Sequence, residues 1–341
     1  MAGRRSLWRA GVMTGVISGL LLLGVVAPGA ALGATKVRLG IVAIVSFYWP
    51  AWAAKDLGYF AADGLEAEIP VFDVTRTAVQ ALSTGGIEFV WGTPEFSIFA
   101  IQRKGPVKVI AGALDKAMYD LIAGAKYKSP KDLKGTTIGV SNLRGGSTFL
   151  MQKMLAKAGL KYPGDYDMVE IGGTPKRFAA VQSGGVSASV VTEPTSFRAL
   201  DEGLVILDRA SNHWPLYQFI TISVNTDWAR QNRPGTVGVL KGVIRANHWL
   251  YDERNRDEAL KILMKYVKME PKYGPRTYDS MFKVFKAIPL LGEVNEQAMA
   301  PVLDIMVERK QADRKPALTE YADDSYRQEA LAQLRREGKL R

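Results

Sequence analysis

The sequence contains no cysteine and only two histidines, His213 and His248, among its 341 residues. The lack of cysteine excludes disulfides, thiolate-bound zinc or iron–sulfur centres, cysteine nucleophiles and a lipid-modified N-terminal cysteine. An imidazole metal site would need both histidines, which are far apart in the chain, together with carboxylates. We therefore expect no bound metal and no cofactor.

Common catalytic motifs are also missing. The chain has no G-x-S-x-G, no P-loop, no H-E-x-x-H and no G-x-G-x-x-G after a predicted strand. The formal charge is +11, from 45 basic and 34 acidic residues, but these charges are interleaved and form no single basic tract. We expect neither an enzyme nor a nucleic-acid-binding protein.

The first 33 residues have the character of a secretory signal peptide. Arg4, Arg5 and Arg9 precede an uncharged run over residues 10–32, and small residues place cleavage near Gly33 or Ala34. The alternative is an uncleaved membrane anchor, because the run is long enough to cross a bilayer. The paired arginines also resemble a twin-arginine export motif. We expect a periplasmic protein.

The remaining chain alternates between strand and helix patterns, which predicts an α/β fold with mainly parallel sheets. One series has strands at 37–45, 65–71 and 87–91 and helices at 50–60, 74–82 and 94–102. A second series has strands at 136–140, 168–171, 186–191 and 204–207 and helices at 145–158, 175–182 and 194–200. Helical periodicity then dominates, at 237–251, 257–267, 278–287, 295–309 and 324–335.

Extended segments at residues 113–123 and 217–224 separate these regions and predict two crossovers between two lobes. Lobe 1 would comprise residues 34–115 and 222–341, and lobe 2 residues 116–221. Small-molecule sites favour such interfaces and the carboxyl ends of parallel strands. The expected ligand site is therefore the cleft between the lobes.

Four stretches carry a family resemblance when they occur in this order. Residues 53–65 contain Gly58-Tyr59-Phe60 followed by Gly64-Leu65, after Leu39-Gly40-Ile41. The other three are 81–89 with Gly92, 129–140, and 180–188 with Glu193-Pro194. Glu88 and Ser187 depart from the pattern, because relatives usually carry an aspartate there.

The chain resembles the periplasmic solute-binding components of ABC importers, in the branch of nitrate-, sulfonate- and taurine-binding proteins and of proteins that bind thiamine-pyrimidine precursors. The resemblance implies a type II periplasmic binding protein-like fold, with two α/β lobes on a two-segment hinge and a helical C-terminal region. It further implies ligand binding without catalysis.

Two loops of the first series are candidate ligand contacts. One concentrates aromatic rings and a hydroxyl at a helix start, where they could hold a planar or apolar ligand body; it comprises Ser46, Phe47, Tyr48 and Trp49. The alternative for Phe47 and Trp49 is core packing. The other loop is Gly92-Thr93, where Thr93 could instead cap the next helix. Glu95 is expected to be a first-turn partner of its own helix.

Two loops of the second series complete the predicted site. A glycine- and hydroxyl-rich helix start exposes amides that favour an anion, and it contains Arg144, Gly146, Ser147 and Thr148. Thr192 and Glu193 follow a later strand, and Glu193 could instead be an N-terminal helix charge. Residues 174–177 form a weaker candidate.

The resemblance, together with these loops, predicts a monomeric solute-binding component that captures a small organic anion, such as a sulfonate, carboxylate or nitrate-like ion, for an ABC permease in the inner membrane. Two alternatives remain open. One is an enzyme like the pyrimidine-precursor synthases, which would need a reactive histidine that the four loops lack. The other is a receptor that signals to a membrane kinase.

Overall fold

A computed structural model describes residues 33–340. The predicted signal peptide therefore lies outside the described residues, except for Gly33. The strands are β1 Thr35–Val42, β2 Leu65–Glu68, β3 Val71–Phe72, β4 Phe89–Gly92, β5 Val107–Leu114, β6 Asp120–Ala123, β7 Thr137–Val140, β8 Asp167–Glu170, β9 Ala188–Val191, β10 Val205–Arg209 and β11 Ile220–Asn225.

Most helices follow the periodicity of the sequence. The helix predicted over residues 278–287 is instead the end of an α-helix at Tyr278 followed by a π-helical segment at Asp279–Val284, and the helices at Thr226–Gln231 and Leu318–Tyr321 were not predicted. The described residues form thirteen α-helices. They are α1 Trp49–Asp56, α2 Thr75–Ser83, α3 Pro94–Gln102, α4 Gly146–Lys157, α5 Thr174–Gln182, α6 Thr195–Asp201, α7 Thr226–Gln231, α8 Arg233–Tyr251, α9 Arg256–Tyr266, α10 Tyr273–Tyr278, α11 Glu296–Glu308, α12 Leu318–Tyr321 and α13 Ser325–Arg336. Helix α1 ends earlier than predicted, because Gly58 takes a left-handed φ of 70° that breaks the helical run.

The strands form two mixed sheets. The first has the order β2-β1-β4-β11-β5, with β3 also paired to β1, and the second has the order β10-β6-β9-β7-β8. Strand β1 is parallel to β2, β3 and β4, whereas β11 runs antiparallel to β4 and β5. In the second sheet β7 is parallel to β8 and β9, and β6 runs antiparallel to β9 and β10.

Each sheet receives one strand directly after a crossover, and these strands run antiparallel to their neighbours. The two crossovers lie side by side: Tyr217 N donates to Asp115 O at 2.9 Å, and Ala210 N donates to Tyr119 O at 2.8 Å. Strand β5 was not predicted. Its pairing with β11 makes it the strand from which the chain leaves the first sheet.

Glu88 and Ser187 both serve the scaffold. The Glu88 carboxylate accepts hydrogen bonds from Arg38 N at 2.7 Å and from Arg38 Nε at 3.1 Å, which ties β1 to the turn before β4. Tyr127 Oη donates to Ser187 Oγ at 2.8 Å. Over residues 33–340, no helix has both the length and the apolar character needed to cross a membrane.

Candidate functional site

Four helices point their N-termini into one cavity. The cavity has a volume of about 60 Å³ and is lined by the first residues or N-caps of α2, α3, α4 and α5, which are Val74, Thr75, Thr93, Gly145, Gly146, Ser147, Gly173 and Thr174. Helices α2 and α3 flank the first sheet and α4 and α5 the second. Since each N-terminus carries a partial positive charge and free amides, the cavity favours a negative group.

Arg177 places a buried cation at this cavity. The side chain is 2% exposed and lines the cavity wall. Its Nε and Nη2 donate to Val190 O at 3.0 and 2.9 Å, Nη2 also donates to Thr174 Oγ1 at 3.2 Å, and Nη1 donates to Gly172 O. These acceptors are neutral, and no carboxylate within the described residues forms an ion pair with Arg177.

The Arg177 charge therefore has no counterion among residues 33–340. Burial lowers the pKa of the guanidinium, while the nearby Tyr119 hydroxyl acts in the opposite direction. A buried charge without an opposite partner is costly, because solvation is lost without compensation. An anion in the cavity would offset that cost, and a planar guanidinium is well suited to carboxylate or sulfonate oxygens.

Aromatic rings form the remaining wall. Phe47 lies 5.9 Å from both Tyr119 and Phe219, measured between ring centroids, and Tyr119 lies 5.0 Å from Phe219. Tyr48 also lines the cavity, and burial raises its pKa. These rings make this part of the wall apolar apart from the Tyr48 and Tyr119 hydroxyls, so a charge next to it is weakly screened.

Glu95 occupies the helix start that was expected to receive the ligand. Its Oε1 accepts a hydrogen bond from Gly146 N at 2.9 Å and another from Thr93 Oγ1 at 2.7 Å. The side chain is 7% exposed, and burial raises the pKa of its carboxyl, which both hydrogen bonds oppose. Glu95 thus links α3 of the first sheet to α4 of the second, beyond its expected role in its own helix.

Residues 30–264 match the model of the NMT1-like family. The chain belongs to this family. Over 151 residues it is 30% identical to the nitrate/nitrite binding protein NrtA of Synechococcus elongatus. That alignment covers 43% of this chain and 33% of NrtA, so the match spans about a third of the curated relative's length.

Solved structures share the fold of this NMT1-like chain. The periplasmic nitrate-binding protein NrtA from Synechocystis superposes with a TM-score of 0.75 at 15% identity, covering 90% of this chain and 91% of that one. The alkanesulfonate-binding protein SsuA from Xanthomonas axonopodis has a TM-score of 0.69 at 17% identity, covering 85% and 98%. The desulfurization enzyme DSZB has a TM-score of 0.66 at 13% identity, covering 88% and 99%. The predicted resemblance and fold class are confirmed.

The predicted site residues of this NMT1-like chain divide into two groups. Those that line the cavity are Phe47, Tyr48, Thr93, Gly146 and Ser147. Ser147 Oγ lies 2.9 Å from Ser141 Oγ, and the Thr93 hydroxyl bonds Glu95 and not a helix amide. The cavity thus brings together parts of three of the four predicted loops.

The other predicted residues make different contacts. Trp49 is buried in the core, where its Nε1 donates to Ala259 O at 3.1 Å. Thr148 Oγ1 donates to Asn142 O at 2.6 Å, and Arg144 is exposed. Gly92 is buried beside Thr75: a Cβ there would lie 2.6 Å from Thr75 Cγ2.

Ser46, Thr192 and Glu193 form a buried polar cluster apart from the cavity wall. Ser46 Oγ donates to Glu193 O at 3.0 Å, and Ser280 Oγ donates to Glu193 Oε1 at 2.7 Å. Thr192 Oγ1 and Glu193 Oε2 have no hydrogen-bond partner within the described residues. Burial raises the pKa of Glu193 to about 8.

Sequence reasoning did not select Arg177, Tyr119 or Phe219. Arg177 appeared only within the weaker candidate segment 174–177. The available signal was Gly172-Gly173-Thr174, a second glycine- and hydroxyl-containing helix start like the one at 145–148. Tyr119 and Phe219 lie in or beside the crossovers, where a linear pattern does not indicate which way a ring faces.

Proposed function

We propose that this chain is the solute-binding component of an ABC importer. It works in the periplasm, captures a small organic anion, and delivers it to a permease in the inner membrane. Membership of the NMT1-like family supports this proposal, as do the nitrate- and sulfonate-binding relatives. The single observation that carries the choice of an anion is Arg177, a buried cation at the cavity without a carboxylate partner in the described residues.

Closure of two lobes supplies the transport signal in this proposal. Lobe 1 comprises residues 34–115 and 222–341, and lobe 2 residues 116–221. The cavity takes Tyr48 from one lobe and Arg177 from the other. A ligand therefore makes all its contacts only when the cleft is shut, and binding shifts the population toward the closed form. The permease then distinguishes closed from open protein.

The substitution Arg177→Met tests the anion site. Isothermal titration with nitrate, propane-1-sulfonate and butanoate on the wild-type protein identifies an anion that binds. We expect Arg177→Met to weaken its binding by about 30-fold or more, because the charged partner is lost from a buried site. Arg230→Met is the matched control, since Arg230 is exposed and paired with Asp227.

Unchanged affinity in Arg177→Met would show that Arg177 does not contact the anion. If the wild type binds neither organic nor inorganic anions, the proposed function is overturned. The ligand is expected to be recovered chemically unchanged. Mass spectrometry after prolonged incubation checks this, and conversion would indicate an enzyme. Genes for a permease and an ATPase beside this one would support import, whereas a histidine-kinase gene would support sensing.

A further inference from the structure

Glu95 places a second charge directly behind the cavity wall, of the sign opposite to Arg177, because its carboxylate hydrogen-bonds Thr93 and Gly146, which line the cavity. Its carboxylate stands at two helix N-termini at once: it lies in the first turn of α3 and accepts the Gly146 amide of α4. Thr93, the N-cap of α3, donates to the same oxygen and itself lines the cavity. An internal anion therefore already uses the Gly146 amide of α4.

The net charge around the site comes from Arg177, Arg309 and Glu95. Arg177 is buried at the cavity and Arg309 is half-buried behind α4, where its Nη2 donates to Leu143 O at 3.0 Å and to Gln152 Oε1 at 3.2 Å. Glu95 offsets one of these two cations. At the rim, Asp73 and Lys176 pair at 3.3 Å and cancel.

We infer that Glu95 makes this site selective for ligands with a single negative charge and excludes dianions. The inference rests on the proposed function. One ligand charge balances the net single positive charge left by Arg177, Arg309 and Glu95. A second would either displace Glu95 from Gly146 or remain beside a buried carboxylate, and like charges in a weakly screened site repel strongly.

The size of the cavity adds to this selectivity. At about 60 Å³ the cavity holds a small head group, and Gly146 lines it directly. A second anionic group of a short ligand therefore cannot move far from the Glu95 carboxylate. The Gly146 amide, at the helix start that the sequence pattern assigned to the ligand, holds the residue that selects the ligand's charge.

Two matched ligand pairs test the inference: propane-1-sulfonate with ethane-1,2-disulfonate, and butanoate with succinate. Within each pair the skeleton is similar and the charge differs by one. We expect the wild type to prefer the monoanion by about tenfold or more, the scale expected for nearby like charges. In Glu95→Gln the amide oxygen still accepts from Gly146 while the negative charge is lost, so the monoanion should bind more tightly, the dianion should gain more than the monoanion, and the preference should fall by about tenfold.

Glu308→Gln is the control. Glu308 is exposed and pairs with Lys153 of α4 at 2.7 Å, so its loss removes a charge near the same helix but outside the site. Its charge preference should equal that of the wild type. Equal binding of mono- and dianions by the wild type, or an unchanged preference in folded Glu95→Gln, overturns the inference and leaves the proposed function standing. Failure of the wild type to bind nitrate or any of the four probes overturns the proposed function, and the inference with it.

Discussion

The buried carboxyl of Glu193 should make the stability of the protein depend on pH. Its side chain is 6% exposed, Oε1 accepts from Ser280 Oγ at 2.7 Å, and burial raises its pKa from 4.5 to about 8. The folded protein therefore holds a proton on Glu193 at pH values where the unfolded chain has released it. Between the two pKa values the folded state binds more protons, so stability falls as pH rises.

The size of this effect follows from the same shift. A rise in pKa from 4.5 to about 8 corresponds to at most about 5 kcal/mol of unfolding free energy, present at pH 4.5 and lost by pH 8 to 9. For a chain of this length, 5 kcal/mol changes the Tm by about 8 °C. Glu193→Gln is neutral at every pH and should escape the loss.

The assay is a thermal melt of wild type and Glu193→Gln at half-unit steps from pH 5 to 9. The two should melt together at pH 5, and the variant should exceed the wild type by a margin that grows to several degrees at pH 9. Glu258→Gln, at an exposed site in the first turn of α9, should follow the wild-type profile. Parallel profiles for wild type and Glu193→Gln would refute the reasoning, because Glu193 would then titrate alike in the folded and unfolded chains.

Two further substitutions test Trp49 and Gly92, which were predicted as ligand contacts but do not line the cavity. Trp49→Phe removes the hydrogen bond to Ala259 O and should lower the unfolding free energy by about 2 kcal/mol in urea titrations. Its anion affinity should stay within twofold of wild type. A large loss of affinity in the folded variant would show that Trp49 contacts the ligand. Gly92→Ala should lower the unfolding free energy by about 1 to 3 kcal/mol in the same assay, because the new Cβ would lie 2.6 Å from Thr75 Cγ2. Unchanged stability would contradict the close packing of β4 against α2.

Most helices and strands could be predicted because their periodicity is local. The predicted helix at 295–309 corresponds to α11 at Glu296–Glu308, and the strand at 136–140 corresponds to β7 at Thr137–Val140. Strand β5 was missed although Gly105-Pro106 precedes an apolar run, a combination typical of a turn followed by a strand. Its antiparallel pairing with β11 depends on residues more than 100 positions away.

The residues of the candidate site were harder to predict from local sequence patterns. The helix start at 145–148 was selected for its glycines and hydroxyls, and its residues 145–147 line the cavity. Whether its amide was free for a ligand depended on Glu95, 51 residues earlier in the chain. Likewise, Trp49 and Tyr48 are neighbours in one aromatic loop, but Tyr48 lines the cavity and Trp49 packs against Tyr278 and Phe282.

The sequence by itself determined most of the strands and helices, the two α/β series and the family, because hydrophobic periodicity and turn residues act over a few positions. Only the tertiary structure decided that Arg177 is a buried cation at the cavity and that Glu95 reaches Gly146. The physical reason is that burial and charge pairing depend on which distant segments meet in space. A linear pattern specifies each segment but does not specify its neighbours.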